Sequence, residues 1–329
     1  MSLHLLLSVR AVWGFAAQLF LLHTGTGGAW GHIMSLWALE PSILVGCAAL
    51  LLGYIIIQGF RLTSASFFFT LGVVILLLAL VSPLHTLGEY YLFSAHMVQH
   101  LLLVLVVPPL LLLGTPAWIF RKLLQWPVAD RVERVLGQPA VAWVLATLAL
   151  YIWHAPVLFE LTLHNMQAHI AEHLIFLVTG VIFWWPIMCP LPERHRMNTA
   201  ASVVFLFSAG VTNCLLGIVL SFAQPGIYPT YVSANDPFGV LVHIRYDWNI
   251  TPAMDQQLGG MIMWVPGCLA YLGAILGTLG RWYRTPEPVE PNDRPAGAEQ
   301  GTARTGGISP VTISAAVPAV PAATAVEER

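Results

Sequence analysis

The chain has 329 residues, of which 57% are hydrophobic and 9% charged, with a mean hydropathy of +0.74 and a formal net charge of −2. A water-soluble domain needs charge at about a quarter of its positions to cover its surface, so that class is excluded. Lipid replaces water as the main solvent of the surface, and the chain reads as an all-α, polytopic helical membrane protein.

Residues 1–36 form an N-terminal hydrophobic segment followed by an outer loop. The 12 apolar residues after Arg10, positions 11–22, have the length of a signal-peptide core. Counted from Leu3, with Arg10 snorkelling, the same segment is long enough to cross a bilayer, and both readings stand. Seven core spans follow, at 42–60, 67–81, 94–114, 140–153, 168–188, 200–222 and 258–280. Each approaches the roughly 20 apolar residues that an apolar thickness of about 30 Å requires, with two on the short side. All are expected to be helices, because lipid offers no partner to a free backbone group. Pro108 and Pro109 in the third core span and Pro266 in the last should kink their helices and free carbonyls. Gly259 and Gly260 should let helices pack closely. Cys47, Cys189, Cys214 and Cys268 are singletons within or beside apolar runs and read as small buried residues. Residues 37–284 thus make the membrane domain. Residues 285–329, rich in Pro, Ala, Gly, Thr and Val without periodicity, read as a disordered cytoplasmic tail.

Orientation follows from Lys and Arg. Arg61, then Arg121, Lys122, Arg131 and Arg134, then Arg194 and Arg196, and finally Arg281 and Arg284 fall on one side of a seven-span chain, which is therefore cytoplasmic. The opposite loops, 82–93, 154–167 and 223–257, share one basic residue, Arg245.

Against that topology the histidines sort themselves. His96 and His100 are spaced i, i+4 at the first turn of one span, and His169 and His173 repeat the spacing at the start of another. Each pair sits on one helix face, one turn apart. His154 lies at the end of a third span, and all five are on the outer side. Neutral imidazole binds Cu, Zn, Fe or Ni, and two pairs supply a four-ligand site. Ionisable residues within spans are costly and usually face the bundle interior. Glu172, beside His173, is a ligand or an orienting neighbour. Asp255 tunes or captures, and the thioethers of Met261 and Met263, soft ligands suited to Cu(I), incline the metal towards copper. His23, His32, His85, His164 and His243 read as interfacial anchors, and the many tryptophans near span ends as an aromatic belt. Neither HMVQH nor HIAEH has the HExxH order of a zinc protease, and no nucleotide loop or nucleophile elbow occurs, so no enzymatic activity is expected.

Four stretches carry a resemblance: HMVQHLLLVLVVPPLLLLGTP from His96, WHAP at 153–156, HIAEHLIFLVTGVIFWWPI from His169, and DQQLGGMIMWVPG at 255–267. In this order and with these loop lengths, over about residues 37–284, they resemble the multi-span CtaG family of cytochrome c oxidase assembly proteins. The resemblance implies a seven-span protein of the bacterial inner membrane that matures a haem–copper oxidase, helping a copper ion reach subunit I. It assigns motif roles to His96, His100, His154, His169, His173 and Asp255. The expected partners are oxidase subunits, the lipid bilayer and a periplasmic copper donor, and no nucleic acid. Two other readings are a b-type haem redox protein, with paired histidines as axial ligands, and a metal permease. Haem is not expected, because i, i+4 pairs at one level suit a compact ion. A permease needs ligands continuing inward, where Leu, Val, Ile and Phe predominate apart from Ser208, Asn213 and Cys214.

Overall fold

The computed structural model describes residues 35–284, apart from positions 60, 192–193 and 195–196. The expectations for residues 1–34, for the tail 285–329, and for His23, His32 and His195 lie outside the described residues. Within them every regular element is helical. We number these α1 Pro41–Gln58, α2 Ser64–Val81, α3 Pro83–Tyr90, α4 Phe93–Gly114, α5 Ala117–Leu123 and α6 Pro127–Leu136. There follow α7 Pro139–Trp153, α8 Pro156–His164, α9 Met166–Met188, α10 Thr199–Phe222, α11 Pro229–Val232 and α12 Pro252–Arg284.

Six of these, α1, α2, α4, α9, α10 and α12, are long and apolar enough to cross a bilayer. The fourth expected span is the exception. At 15 residues α7 covers only about 22 Å at 1.5 Å per residue, and it counts as a seventh span only together with α6, from which it bends by 77°. Gln138–Pro139 explains the break, since proline at the first helical position removes a donor and favours a fresh start. The last helix begins earlier than its apolar run, at Pro252, so Asp255 stands in its first turn.

Helix starts follow local chemistry. Thr63 and Ser66 cap α2 reciprocally. Ser82 closes α2 and, with Pro83, opens α3. Asn165 accepts from the N–H groups of Gln167 and Ala168 and so fixes the first turn of α9. In α4 the prolines act as expected. Pro108 has no N–H for the Val104 carbonyl, the backbone widens into a π-turn at Leu102–Val106, and Trp184 of α9 donates its indole N–H to that carbonyl at 2.9 Å. Beside Pro266, the Asn213 amide donates to the Met263 carbonyl at 2.7 Å.

Glycine sets the closest crossing. A Cβ on Gly260 would stand 2.5 Å from the Ser221 nitrogen, and one on Gly217 2.7 Å from the Trp264 nitrogen, so α10 and α12 meet backbone to backbone. That approach brings Cys214 and Cys268, Cα atoms 6.4 Å apart, into a disulfide. Cys47 and Cys189 are free and buried, whereas the reading of Cys214 and Cys268 as simple buried residues left out their pairing. Two residues lying 54 positions apart in separate apolar runs gave no local sign of the pairing.

The two ends of the bundle differ. At one end lie Arg194, Asp130, Glu133 and Arg134, with Arg281 and Arg284 at the foot of α12. At the other end lie the first turns of α4 and α9, the last turn of α7, and the loop that carries α11.

Candidate metal centre

Five histidines and one glutamate meet at that second end. His96 and His100 come from α4, His169, Glu172 and His173 from α9, and His154 caps the C-terminus of α7. Each is at most 9% exposed, and His96 and Glu172 are fully buried. The imidazole centroids are close: 4.3 Å for His96–His100, 4.4 Å for His169–His173, 5.3 Å for His100–His154 and 5.5 Å for His96–His169. His96, His169, Glu172 and His173 offer ligand atoms that all lie within 4.8 Å of one another. The other two imidazoles border this set, His100 Nε2 standing 3.6 Å from Glu172 Oε1.

Neighbouring groups fix which ring nitrogen carries its proton. The Tyr231 hydroxyl donates to the Gly88 carbonyl at 2.6 Å, so its oxygen accepts from His96 Nδ1–H at 3.2 Å, and the lone pair stays on Nε2. His154 Nδ1–H donates to the Leu150 carbonyl at 2.7 Å and likewise leaves Nε2 as a base. His169 turns Nδ1 towards the Glu89 carboxylate, 4.0 Å away. Outward donation of the kind His96 and His154 make is how proteins orient metal-binding imidazoles.

The inward atoms find no hydrogen bond. Nε2 of His96, His100, His154, His169 and His173, Nδ1 of His100 and both carboxylate oxygens of Glu172 are buried without a partner. Each such group costs about 1–3 kcal/mol, and eight in one pocket add up to on the order of 10 kcal/mol. That rivals the whole stability of an ordinary domain, which is sustainable if something electrophilic satisfies the lone pairs. Five imidazoles and a carboxylate, with no buried cation from Lys or Arg among them, fit a transition-metal ion such as Cu or Zn.

The supports come from distant parts of the chain. The Asp255 carboxylate accepts from Phe93 N–H at 2.7 Å, Ser94 N–H at 3.1 Å and Ser94 Oγ–H at 2.5 Å. Leu92, at the N-cap of α4, offers no side-chain cap, so Asp255 supplies it from α12 and sets the turn that carries His96. Both its oxygens are engaged, so its place is in positioning rather than capture. Gln256 accepts from the N–H groups of Gly226 and Ile227 and donates to the Ala223 and Gln224 carbonyls, which folds the loop leading to Tyr228 and Tyr231. Tyr228 in turn donates to the His154 carbonyl at 2.8 Å. Phe159 and Phe176 pack against His96 and His100, with centroids at 5.0 and 4.5 Å.

The methionines stand apart. Met261 is 48% exposed on the outer face of α12 and does not meet the imidazoles. Met263 is buried in an apolar cluster with Phe93, Met97 and Phe159. The helical period explains the split: two residues on, a side chain points to another face.

One histidine read as an interfacial anchor belongs here. His85 of α3 is buried, stacks on His169 at 5.4 Å, and receives the Gln99 amide at Nδ1 at 3.0 Å. Burial and the nearby His96 push it down to about 4. Its Nε2 lies 3.6 Å from Glu89, whose carboxyl burial pushes up. Gly88 allows this, because any Cβ there would stand 3.0 Å from the His96 backbone. A spacing of i, i+4 between His85 and Glu89 was the available signal. His164 and His243 remain with Glu160 and Asp247, outside the cluster. Beside His85, Glu89, His169 and His173 a cavity of about 560 Å³ opens, walled by α1, α2 and α9 residues such as Ile43, Leu76 and Leu177.

The profile of the cytochrome c oxidase caa3 assembly factors matches residues 59–285, which include the five histidines and Glu172 and leave out α1. Uncharacterized proteins of Mycobacterium bovis and Mycobacterium tuberculosis are each 28% identical over 208 residues, covering 58% of this chain and 30% of theirs. An uncharacterized protein of Mycobacterium leprae is 27% identical over 278 residues, covering 77% of this chain and 40% of its own. The chain thus spans well under half the length of these relatives. No solved structure matches it.

Proposed function

This chain belongs to the cytochrome c oxidase caa3 assembly factor family, and we propose that it serves oxidase assembly as a copper carrier. The observation that supports this most is the set of buried, unpartnered imidazole and carboxylate atoms on His96, His100, His154, His169, Glu172 and His173. Imidazole nitrogens hold copper, two of them with tautomers fixed at His96 and His154, while the single carboxylate offsets its charge.

The route follows from the surroundings. The cavity beside His169 and His173 connects the centre to a face walled by α1, α2 and α9. Copper arrives there from a periplasmic donor and leaves there towards subunit I. His85 and Glu89 at the cavity wall hold His169 in orientation during exchange. By the distribution of Lys and Arg, this end faces outward from the inner membrane and the C-terminus is cytoplasmic. Towards the other end, below His100, a space of only about 30 Å³ is lined mainly by apolar residues such as Leu101, Val104, Leu105 and Phe183, with Thr147, Thr179, Thr212 and Asn213 and no further histidine or carboxylate, a poor path for a permease.

The test is complementation. In a strain lacking this chain, the wild type restores oxidase activity, His100→Ala and His169→Ala do not, and added copper salts rescue the variants in part. Full activity with both variants would refute the carrier reading.

A further inference from the structure

Resting on the copper reading above, we propose that the centre holds two copper ions side by side, with Glu172 bridging them. The donors fall into two groups. His96, His169 and His173 share one set with Glu172, all ligand atoms within 4.8 Å. His100 and His154 are the remainder, their rings 5.3 Å apart and each with an unpartnered Nε2.

Glu172 faces both. Its Oε2 lies 3.6 Å from His96 Nε2, and its Oε1 lies 3.6 Å from His100 Nε2. That is too long for a hydrogen bond. It is close to the edge of a coordination tetrahedron, because two donors about 2.0–2.1 Å from one ion stand about 3.4 Å apart. Each oxygen therefore shares an ion with a different histidine. A carboxylate used this way suits two ions about 3.5–4 Å apart.

The count agrees. One tetrahedral or tetragonal ion takes about four ligands, which leaves further inward-facing donors of the six side chains unpaired and costly. A second ion, bound by His100, His154 and Glu172 Oε1, satisfies them. Charge agrees too: Glu172, with Glu89 4.0 Å behind His169, places two carboxylates against two monovalent ions.

The two positions differ in access. His169 and His173 line the cavity, whereas His100 and His154 do not and pack against Phe176 at 4.5 and 5.9 Å. The first position exchanges copper and the second retains it.

The test is copper stoichiometry of the full chain purified in detergent and titrated anaerobically with Cu(I) against a chromophoric chelator. Wild type should bind two per chain and His154→Ala one. Loaded with Cu(II), wild type should give the weakened, coupled paramagnetic resonance signal of a pair, and His154→Ala the full signal of an isolated ion. Glu172→Gln, which keeps side-chain volume, should lose the coupling, and helical circular dichroism confirms that both variants fold. One copper per wild-type chain would overturn the two-ion centre and leave the carrier reading standing. No copper would overturn both.

Discussion

At one end of α9, Arg194 reaches Asp130 and Glu133, Arg134 reaches Asp130, and the Trp185 indole donates to Glu133. At the other end, five imidazoles and Glu172 are packed away from solvent, and eight of their polar atoms have no hydrogen-bond partner. Both ends gather ionisable residues from separate helices. The first matches cation to anion, with Arg194 3.3 Å from Glu133 Oε2, and its work is to join α6 to the segment after α9. The second is short of positive charge by its residue types, and the proposed carrier role assigns that shortage to a metal ion. The difference between paired and unpaired charge separates a structural cluster from a functional one more sharply than residue type does.

Substitutions at the two ends should therefore behave oppositely, and the largest effect belongs to the ligands. His169→Ala or His100→Ala should abolish copper retention through detergent purification. Neither should lower the melting temperature of the metal-free protein, since each removes buried, unpaired donors. A large loss of metal-free stability would show that these histidines hold the helices together instead.

Asp255→Asn comes next. It weakens the side-chain cap that Asp255 places on α4, at a cost of about 1–2 kcal/mol, and loosens the turn bearing His96. Copper affinity in chelator competition should fall about 10- to 100-fold, as with other supports of metal ligands. His85→Ala tests the neighbour that stacks on His169 and should cost about 10-fold in the same assay. An unchanged affinity in both would detach the supports from the site.

The smallest effect on copper is expected from Arg194→Gln at the opposite end, where affinity should stay at the wild-type value. Its signature is a pH dependence. The Arg194 guanidinium hydrogen-bonded to Asp130 holds that carboxyl below its usual range. The stabilisation is thus present above the ordinary carboxylate pKa near 4 and lost as pH falls through the lowered value. Thermal melts of wild type and variant, distinct at neutral pH, should converge in acid. Surface exposure keeps this contribution modest.

How much of this was legible in the chain depends on distance along it. The i, i+4 spacing placed His96 with His100 and His169 with His173, because one helical turn is a local rule. That the two pairs, His154 and Glu172 meet required only that all sit at the same ends of their spans. Proline chemistry foretold the opened turn of α4, although not that Trp184, 80 residues on, would take the freed carbonyl. What stayed hidden was long-range. Asp255 caps α4 from 161 and 162 residues away, and Tyr231 fixes the His96 tautomer from 135. His85 looked like any interfacial histidine until α3 folded back over α4. The same holds for Met261 and Met263, whose motif resembled a ligand pair but whose helix turns one to the outer face and the other into apolar packing.

The most direct test of the central claim is metal analysis with an optical spectrum on detergent-purified protein, wild type beside His100→Ala, His169→Ala and Arg194→Gln. Copper present in wild type and Arg194→Gln, absent from both histidine variants, and no Soret band anywhere, is the predicted result. Copper retained in the histidine variants, a haem spectrum, or no copper in the wild type would contradict it.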